Sequence, residues 1–188
     1  MPPRRLLSSA IICLFPWLAA CVSPESNARR QARAALLARD LQSLDPGVST
    51  PEAEKLATAA VERAHELNRR WKPARMAWMN NLFVNTGLRG SGLCYQWREA
   101  MYPALHHLRP RTLVIHLASA RRATLREHNA IVITARGQAF DDGIVLDAWR
   151  SGGILKWSRV RSDAYPWKPL PWELTPVELR PLIMPGHR

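Results

Sequence analysis

The chain has few cysteines and few acidic residues, and both shortages restrict its possible functions. Its 188 residues include three cysteines, with no second cysteine or paired histidine at zinc-ligand spacing, so we expect neither a metal site nor another cofactor. Its 15 acidic residues stand against 27 lysines and arginines, a net charge of +12 that favours an anionic neighbour. The basic residues are scattered rather than interleaved with aromatic residues as on a base-stacking surface. An anionic envelope surface is therefore a better candidate partner than nucleic acid.

The N-terminus lacks an apolar run long enough to span a bilayer comfortably, but it has the pattern of an export signal. Arg4 and Arg5 precede an apolar stretch, residues 6–20, that has the length of a signal-peptide core. The stretch ends in Leu-Ala-Ala followed by Cys21, which resembles a bacterial lipobox. An ordinary secretory signal with an incidental cysteine is the alternative.

The lipobox resemblance implies a domain organisation and a location. Residues 1–20 would be removed as a lipoprotein signal peptide, and Cys21 would carry the lipid. Residues 21–29 are polar and small and would form a lipidated tether, followed by one domain over residues 30–188. Acyl chains anchor a protein through their buried methylenes, so the bacterial membrane is the expected partner. Val22 rather than aspartate follows the lipid cysteine, which by resemblance implies the outer membrane, facing the periplasm.

The first half of the domain has helical periodicity. Apolar residues recur on one helical stripe over residues 30–44. Thr50 followed by Pro51 is a helix start, with a capping hydroxyl and then proline at the first helical position, and this helix runs to about position 70. A third helix is predicted after Pro73, and a fourth over residues 94–108.

The second half of the chain changes to β-like patterns. Strands are predicted over residues 112–118, 129–135, 144–149 and 154–160, separated by polar or glycine-containing turns. The proline-rich tail from Tyr165 is expected to wrap the domain surface in extended form. Helices followed by antiparallel strands indicate the α+β class.

Cys94 stands out because of its surroundings. It follows a loop, residues 87–92, with three glycines, and it opens a predicted helix. The N–H groups and positive dipole at a helix N-terminus favour a thiolate. Cys13 would leave with the signal peptide and Cys21 would be lipidated, so Cys94 is the single free thiol. Such a thiol is either a buried, inert residue or one kept for its reactivity.

His128 and Asp147 complete an ordered Cys-His-Asp set. His128 is predicted at the start of one strand and Asp147 near the end of the next, and adjacent antiparallel strands bring such side chains within reach. A histidine activates a thiol as a base, and an aspartate holds the imidazole in the required tautomer. The alternatives are a structural or metal-binding His128, a turn-capping Asp147, and Asp141 or Asp142 as the orienting carboxylate.

This arrangement resembles the papain-like cysteine hydrolase superfamily, and most closely its transglutaminase-like branch. The resemblance extends from position 87 to about position 167. The residues that carry it are Gly92, Cys94, His128, Ala130 and Asp147. It implies a papain/transglutaminase-like fold with N-terminal helices, a catalytic helix and a small antiparallel sheet. It also implies Cys94 as nucleophile, His128 as general base and acid, and Asp147 as orienting residue.

The oxyanion donor departs from the papain pattern. Papain-like enzymes carry a glutamine a few residues before the nucleophile, and none precedes Cys94 at short range. The backbone N–H of Cys94 would then act with a second donor, for which Tyr95, Gln96 or an upstream asparagine are candidates.

Two functions follow from these patterns. The first is a membrane-anchored envelope cysteine hydrolase or acyl transferase that acts on an amide or isopeptide bond of a peptide, protein or cell-wall substrate. The second is a catalytically inactive papain-like lipoprotein that serves as a binding or scaffold module.

Arg150 is expected to be a solvated charge, and the alternative is that it binds an acidic substrate.

Overall fold

The computed structural model describes residues 25–73, 84, 86–88 and 90–183. The predicted signal segment, Cys21 and residues 74–83, where the third helix is predicted, lie outside these described residues. Within them the chain forms four α-helices and a five-stranded antiparallel sheet, which confirms the α+β class. No helix in this part of the chain combines the length and apolar character that a membrane span requires.

Two long helices form the first layer. Helix α1 (Asn27–Gln42) begins three residues before its predicted start, because the Ser26 hydroxyl caps it by accepting a hydrogen bond from the N–H of Arg29 at 3.4 Å. Residues 27–29 therefore belong to the helix and not to the tether. Helix α2 (Thr50–Trp71) begins one residue earlier than predicted. Thr50 is its first residue rather than its cap, Ser49 occupies the N-cap without a side-chain hydrogen bond, and Pro51 lies in the first turn.

A third helix lies between this layer and the sheet. Helix α3 (Cys94–His106) packs against both α2 and the sheet. Small residues along one face of α2 are completely buried and allow close helix packing. Those residues are Ala53, Ala57, Ala60 and Ala64. The main core thus fills the space between the helices and one face of the sheet.

The sheet has the strand order β4-β3-β2-β1-β5, and every neighbouring pair is antiparallel. The strands are β1 (Leu113–Ala120), β2 (His128–Ala135), β3 (Ile144–Asp147), β4 (Lys156–Arg159) and β5 (Trp167–Pro169). Strand β2 is central and buried along its whole length, so both faces of the sheet are covered at this strand. A second, smaller apolar cluster covers the face opposite the main core.

The C-terminal tail is more ordered than the sequence predicts. Instead of only wrapping the surface in extended form, it adds β5 to the edge of β1, with Trp167 opposite Ala120. The N–H of Leu170 continues the pairing by donating to the carbonyl of Leu117 at 2.8 Å. A short helix, α4 (Arg180–Ile183), follows. The tail therefore completes the sheet.

Candidate functional site

The three sequence-predicted residues lie at the ends of three neighbouring elements. Cys94 is the first residue of α3, His128 the first of β2, and Asp147 the last of β3. His128 Nε2 and Asp147 Oδ2 are 2.5 Å apart, and both side chains are 1% exposed. The prediction that neighbouring strands bring these two side chains together is confirmed.

The loop before Cys94 is held by the helix that follows it. Gly92 is buried and has φ 125°, a conformation that favours glycine. Gln96 Oε1 accepts hydrogen bonds from the N–H groups of Gly92 and Leu93 at 2.8 and 2.9 Å. Trp97 Nε1 donates to the Gly92 carbonyl at 3.2 Å. The Gln96 carbonyl oxygen, on a side chain predicted as an oxyanion candidate, thus fixes the loop that positions Cys94.

The Cys94 thiol is partly exposed and has several polar neighbours. Asn129 Nδ2 donates to Sγ at 3.6 Å, and the thiol faces the carbonyl of Glu127 at 3.9 Å. Burial disfavours the thiolate, but the neighbouring His128 imidazole and the hydrogen bond from Asn129 outweigh burial. The pKa of Cys94 is therefore lowered from its ordinary value.

His128 is positioned between the thiol and the carboxylate. Its Nε2 faces Asp147, whereas its buried Nδ1 has no hydrogen-bond partner among the described atoms. Burial disfavours the charged ring, but the hydrogen bond with Asp147 and the interaction with Cys94 raise the pKa of His128 to about 9. Nδ1 is thus the nitrogen left to exchange a proton with a group at Cys94.

Three aromatic rings enclose the imidazole. The ring centroids of Trp149, Tyr165 and Trp167 lie 4.6, 4.7 and 5.2 Å from that of His128. The rings of Trp149 and Trp167 both pack on the histidine. Aromatic faces exclude water and favour the imidazolium through cation–π attraction. Two of the three come from the C-terminal tail, which therefore forms part of the site.

Asp147 both orients the histidine and caps a turn. Its Oδ1 accepts the N–H groups of Trp149 and Arg150 at 2.9 and 3.1 Å, and its Oδ2 accepts His128 and Arg150 Nε, each at 2.5 Å. The sequence left open whether Asp147 orients the histidine or caps the turn, and the structure shows that it does both. Burial would raise the pKa of Asp147, but its bonds to His128 and Arg150 and their charges lower it.

Arg150 is not the solvated charge that the sequence indicates. Its side chain is 25% exposed and bridges two carboxylates, because Nη2 also donates to Asp163 Oδ2 at 2.8 Å. The guanidinium lies 5.2 Å from the Tyr165 ring centroid. Arg150 follows Asp147 by three residues. This spacing within a turn could have indicated that the two side chains pair.

Asn129 and Arg98 also belong to the site, and no sequence pattern indicated them. Arg98 is 5% exposed, and its Nη1 donates to Asn129 Oδ1 at 2.5 Å. Both residues border a groove of about 460 Å³ beside Cys94, and Tyr95, which is 42% exposed, stands at this groove. The groove is lined mainly by Tyr95, Arg98, Glu127, Asn129, Leu170 and Leu174. The lining therefore combines apolar side chains with polar and charged ones.

Within the described residues, no three histidine, cysteine or acidic side chains are grouped so that they could hold a metal ion. Comparison of the chain with known protein families, with curated proteins and with solved structures finds no match. The chemistry of the site therefore follows from its own side chains: a thiol with a lowered pKa, a charged histidine with one free nitrogen, and a buried carboxylate.

Proposed function

We propose that this protein is an envelope cysteine hydrolase or acyl transferase that acts on an amide or isopeptide bond, and that it belongs to the transglutaminase-like branch of the papain-like superfamily. The observation that carries the proposal is the buried His128–Asp147 pair, 2.5 Å apart, beside a partly exposed Cys94 with a lowered pKa. Perturbed titratable groups that converge beside a groove are typical of catalytic sites.

The first half of the reaction forms a thioester. The Cys94 thiolate attacks the substrate carbonyl carbon, a C–S bond forms, and the carbonyl π pair moves onto oxygen. As the oxyanion collapses, the C–N bond breaks and His128 gives its Nδ1 proton to the leaving nitrogen. Asp147 holds Nε2 and stabilises the imidazolium before this transfer. The free amine leaves, and the acyl group remains on sulfur.

The second half releases the acyl group. Water attacks the thioester carbonyl and gives a proton to His128 Nδ1, the C–S bond breaks, and sulfur leaves as the thiolate with a carboxylic acid as product. A substrate amine in place of water makes the same step an acyl transfer. Peptides, proteins and cell-wall amides are the substrate classes that fit this chemistry.

The N-terminal sequence supports an envelope location for this chemistry. Cys21 at the end of an apolar stretch matches a lipobox, and we place the lipid-anchored domain at the outer membrane, facing the periplasm. Amide bonds of envelope proteins and of the cell wall occur in that compartment. The chain has a net charge of +12 and would keep +10 after Arg4 and Arg5 leave with the signal peptide, which suits an anionic membrane surface.

The pH dependence of Cys94 alkylation tests the proposal. Iodoacetamide labelling, followed at Cys94 by peptide mass spectrometry, should be fast well below the free-cysteine pKa of about 8.5. His128→Ala should restore ordinary thiol titration and lower the rate at pH 7 by roughly tenfold. His107→Ala removes an exposed histidine beyond the end of α3 and should leave the profile unchanged.

Two results would contradict the proposal. Ordinary thiol titration in the wild-type protein would mean that no activated Cys-His pair exists. An unchanged profile in His128→Ala would mean that the histidine does not act on the thiol. Either result favours the alternative, a catalytically inactive papain-like lipoprotein that uses the groove beside Cys94 to bind a partner.

A further inference from the structure

We infer that Asn129 is the side-chain oxyanion donor for reaction at Cys94, and that Arg98 is the positioning residue that turns its amide toward the sulfur. This inference rests on the proposed function and deepens it. In papain-like enzymes a glutamine before the nucleophile provides this donor. This chain has no glutamine there, and Asn129 would take its place.

The position of Asn129 fits an oxyanion donor. Its Nδ2 lies 3.6 Å from Cys94 Sγ, and its side chain is 5% exposed. The oxyanion is the oxygen of the carbonyl carbon that bonds to Sγ. A donor already in contact with the sulfur therefore lies within reach of this oxygen. The residue also borders the groove beside Cys94, from which a substrate carbonyl would approach.

The orientation of the amide is fixed by its other neighbour. A guanidinium only donates hydrogen bonds, so the contact of Arg98 Nη1 with Asn129 requires the amide oxygen on that side. The NH₂ group must then face Cys94 and Glu127, whose Oε1 accepts from Nδ2 at 3.2 Å. Arg98 lies one helical turn after Cys94, on the same face of α3.

The other sequence candidates have different surroundings. The Gln96 carbonyl oxygen is bound by two backbone N–H groups of the preceding loop, and the Tyr95 side chain is 42% exposed at the groove. The backbone N–H of Cys94 belongs to the first turn of α3, where N–H groups have no intrahelical acceptor. This N–H and Asn129 Nδ2 therefore form the pair of donors.

Two reagents separate an oxyanion donor from a residue that only supports the thiol. Acylation by p-nitrophenyl acetate passes through an oxyanion, whereas alkylation by iodoacetamide does not. Both are measured at Cys94 in the full chain at pH 9, where p-nitrophenolate needs no proton to leave. Asn129→Ala should lower the acylation rate about 100-fold and the alkylation rate less than threefold.

Further variants keep the test valid if Asn129→Ala folds poorly. Asn129→Asp preserves the shape and the contact with Arg98 but replaces the donor by an acceptor, so the acylation-to-alkylation ratio should fall as well. Arg98→Met should lower the ratio about tenfold, and Arg98→Lys should restore most of it, because an ammonium still donates to Oδ1. His107→Ala changes an exposed residue beyond the end of α3 and should leave the ratio unchanged.

The outcomes distinguish this inference from the proposed function. A wild-type Cys94 whose alkylation follows ordinary thiol titration across the pH range would overturn the proposed function and this inference with it. An activated wild-type Cys94 whose ratio is unchanged in Asn129→Ala and Asn129→Asp would overturn this inference alone. A ratio that falls equally in Arg98→Met and Arg98→Lys would limit the role of Arg98 to folding and overturn its positioning role.

Discussion

Asp147 accepts four hydrogen bonds, from two backbone N–H groups and two charged side chains. A buried carboxylate is costly unless its lone pairs are satisfied, and here each donor is also part of the site. His128 is thereby held in one orientation, and Arg150 connects the carboxylate to Asp163. The charge balance of the site therefore depends on this one residue.

This dependence predicts how stability changes with pH. In the folded protein the pKa of His128 is raised to about 9 from 6.5, since burial is outweighed by Asp147 and Cys94. A raised pKa stabilises the fold fully below pH 6.5, and this stabilisation is lost as the pH rises through the folded value. In Cys94→Ala, where Asp147 still holds the ring, the free energy of unfolding should fall by on the order of 1 to 3 kcal/mol between pH 6.5 and 9.

The control for this prediction is Cys94→Ala combined with Asp147→Asn. Burial alone lowers the pKa of a histidine, so the double variant should not show the fall. Urea unfolding at several pH values measures both proteins. Parallel curves for the two variants would contradict the role given to Asp147.

At the residue scale, the sequence predicted the side chains whose local context is distinctive. Cys94 follows three glycines at a helix start, and His128 and Asp147 lie on neighbouring strands. Asn129 and Arg98 were missed because their role arises only when α3 packs on β2. A polar residue beside a strand histidine, or an arginine on a helix, has no pattern that distinguishes a buried contact from a solvated one.

At the scale of elements, α2 supports the turn that carries the site. Asn68 Nδ2 on α2 donates to the Gly152 carbonyl at 2.5 Å. Gly153 has φ +91°, and a Cβ there would lie 2.4 Å from Asn68 Cβ and 2.9 Å from the Ala64 carbonyl oxygen. The turn after β3 thus packs directly on the helix backbone, and it begins at Asp147.

This contact predicts different effects at two glycines of positive φ. Gly153→Ala combines backbone strain with a steric clash and should cost roughly 2 to 4 kcal/mol of stability. Gly137→Ala has φ +83° but no described neighbour within 4 Å, so it should cost about 1 kcal/mol. Urea unfolding measures the difference, and Cys94 alkylation at pH 7 should slow only in Gly153→Ala. Equal costs would show that α2 does not constrain the turn.

The elements differed in how well the sequence indicated them. Helix α2 starts with Thr-Pro and has a regular stripe of apolar residues, and the central strands are β-branched and apolar. The sequence therefore predicted this helix and these strands. Strand β5 was missed because it has three residues, of which Lys168 is exposed and Pro169 cannot donate a ladder hydrogen bond. Its pairing with β1 is a tertiary contact, and short edge strands leave little periodicity to read.

At the scale of the whole molecule, the first described residues are already bound to the domain. Arg30 on α1 pairs with Glu62 on α2 at 2.9 Å and donates to the Glu25 carbonyl at 2.8 Å. Helix α1 begins at Asn27, so the proposed tether from Cys21 is only residues 22–26. Five residues span at most about 18 Å when extended. The proposed anchor would therefore keep this domain close to the membrane and the proposed chemistry at Cys94 near the envelope surface.

The proposed lipid anchor can be tested by replacing each of the three cysteines in turn and comparing the variants. Cells that produce the wild-type protein should incorporate labelled palmitate into it, and the protein should sediment with membranes. Cys21→Ser should abolish the label and release the protein, because the acyl chains supply the anchoring energy. Cys13→Ser and Cys94→Ser should keep both properties, since Cys13 is predicted to leave with the signal peptide and Cys94 is proposed to serve the reaction. Label that persists in Cys21→Ser, or a wild-type protein without label, would contradict the lipid anchor but leave the chemistry at Cys94 intact.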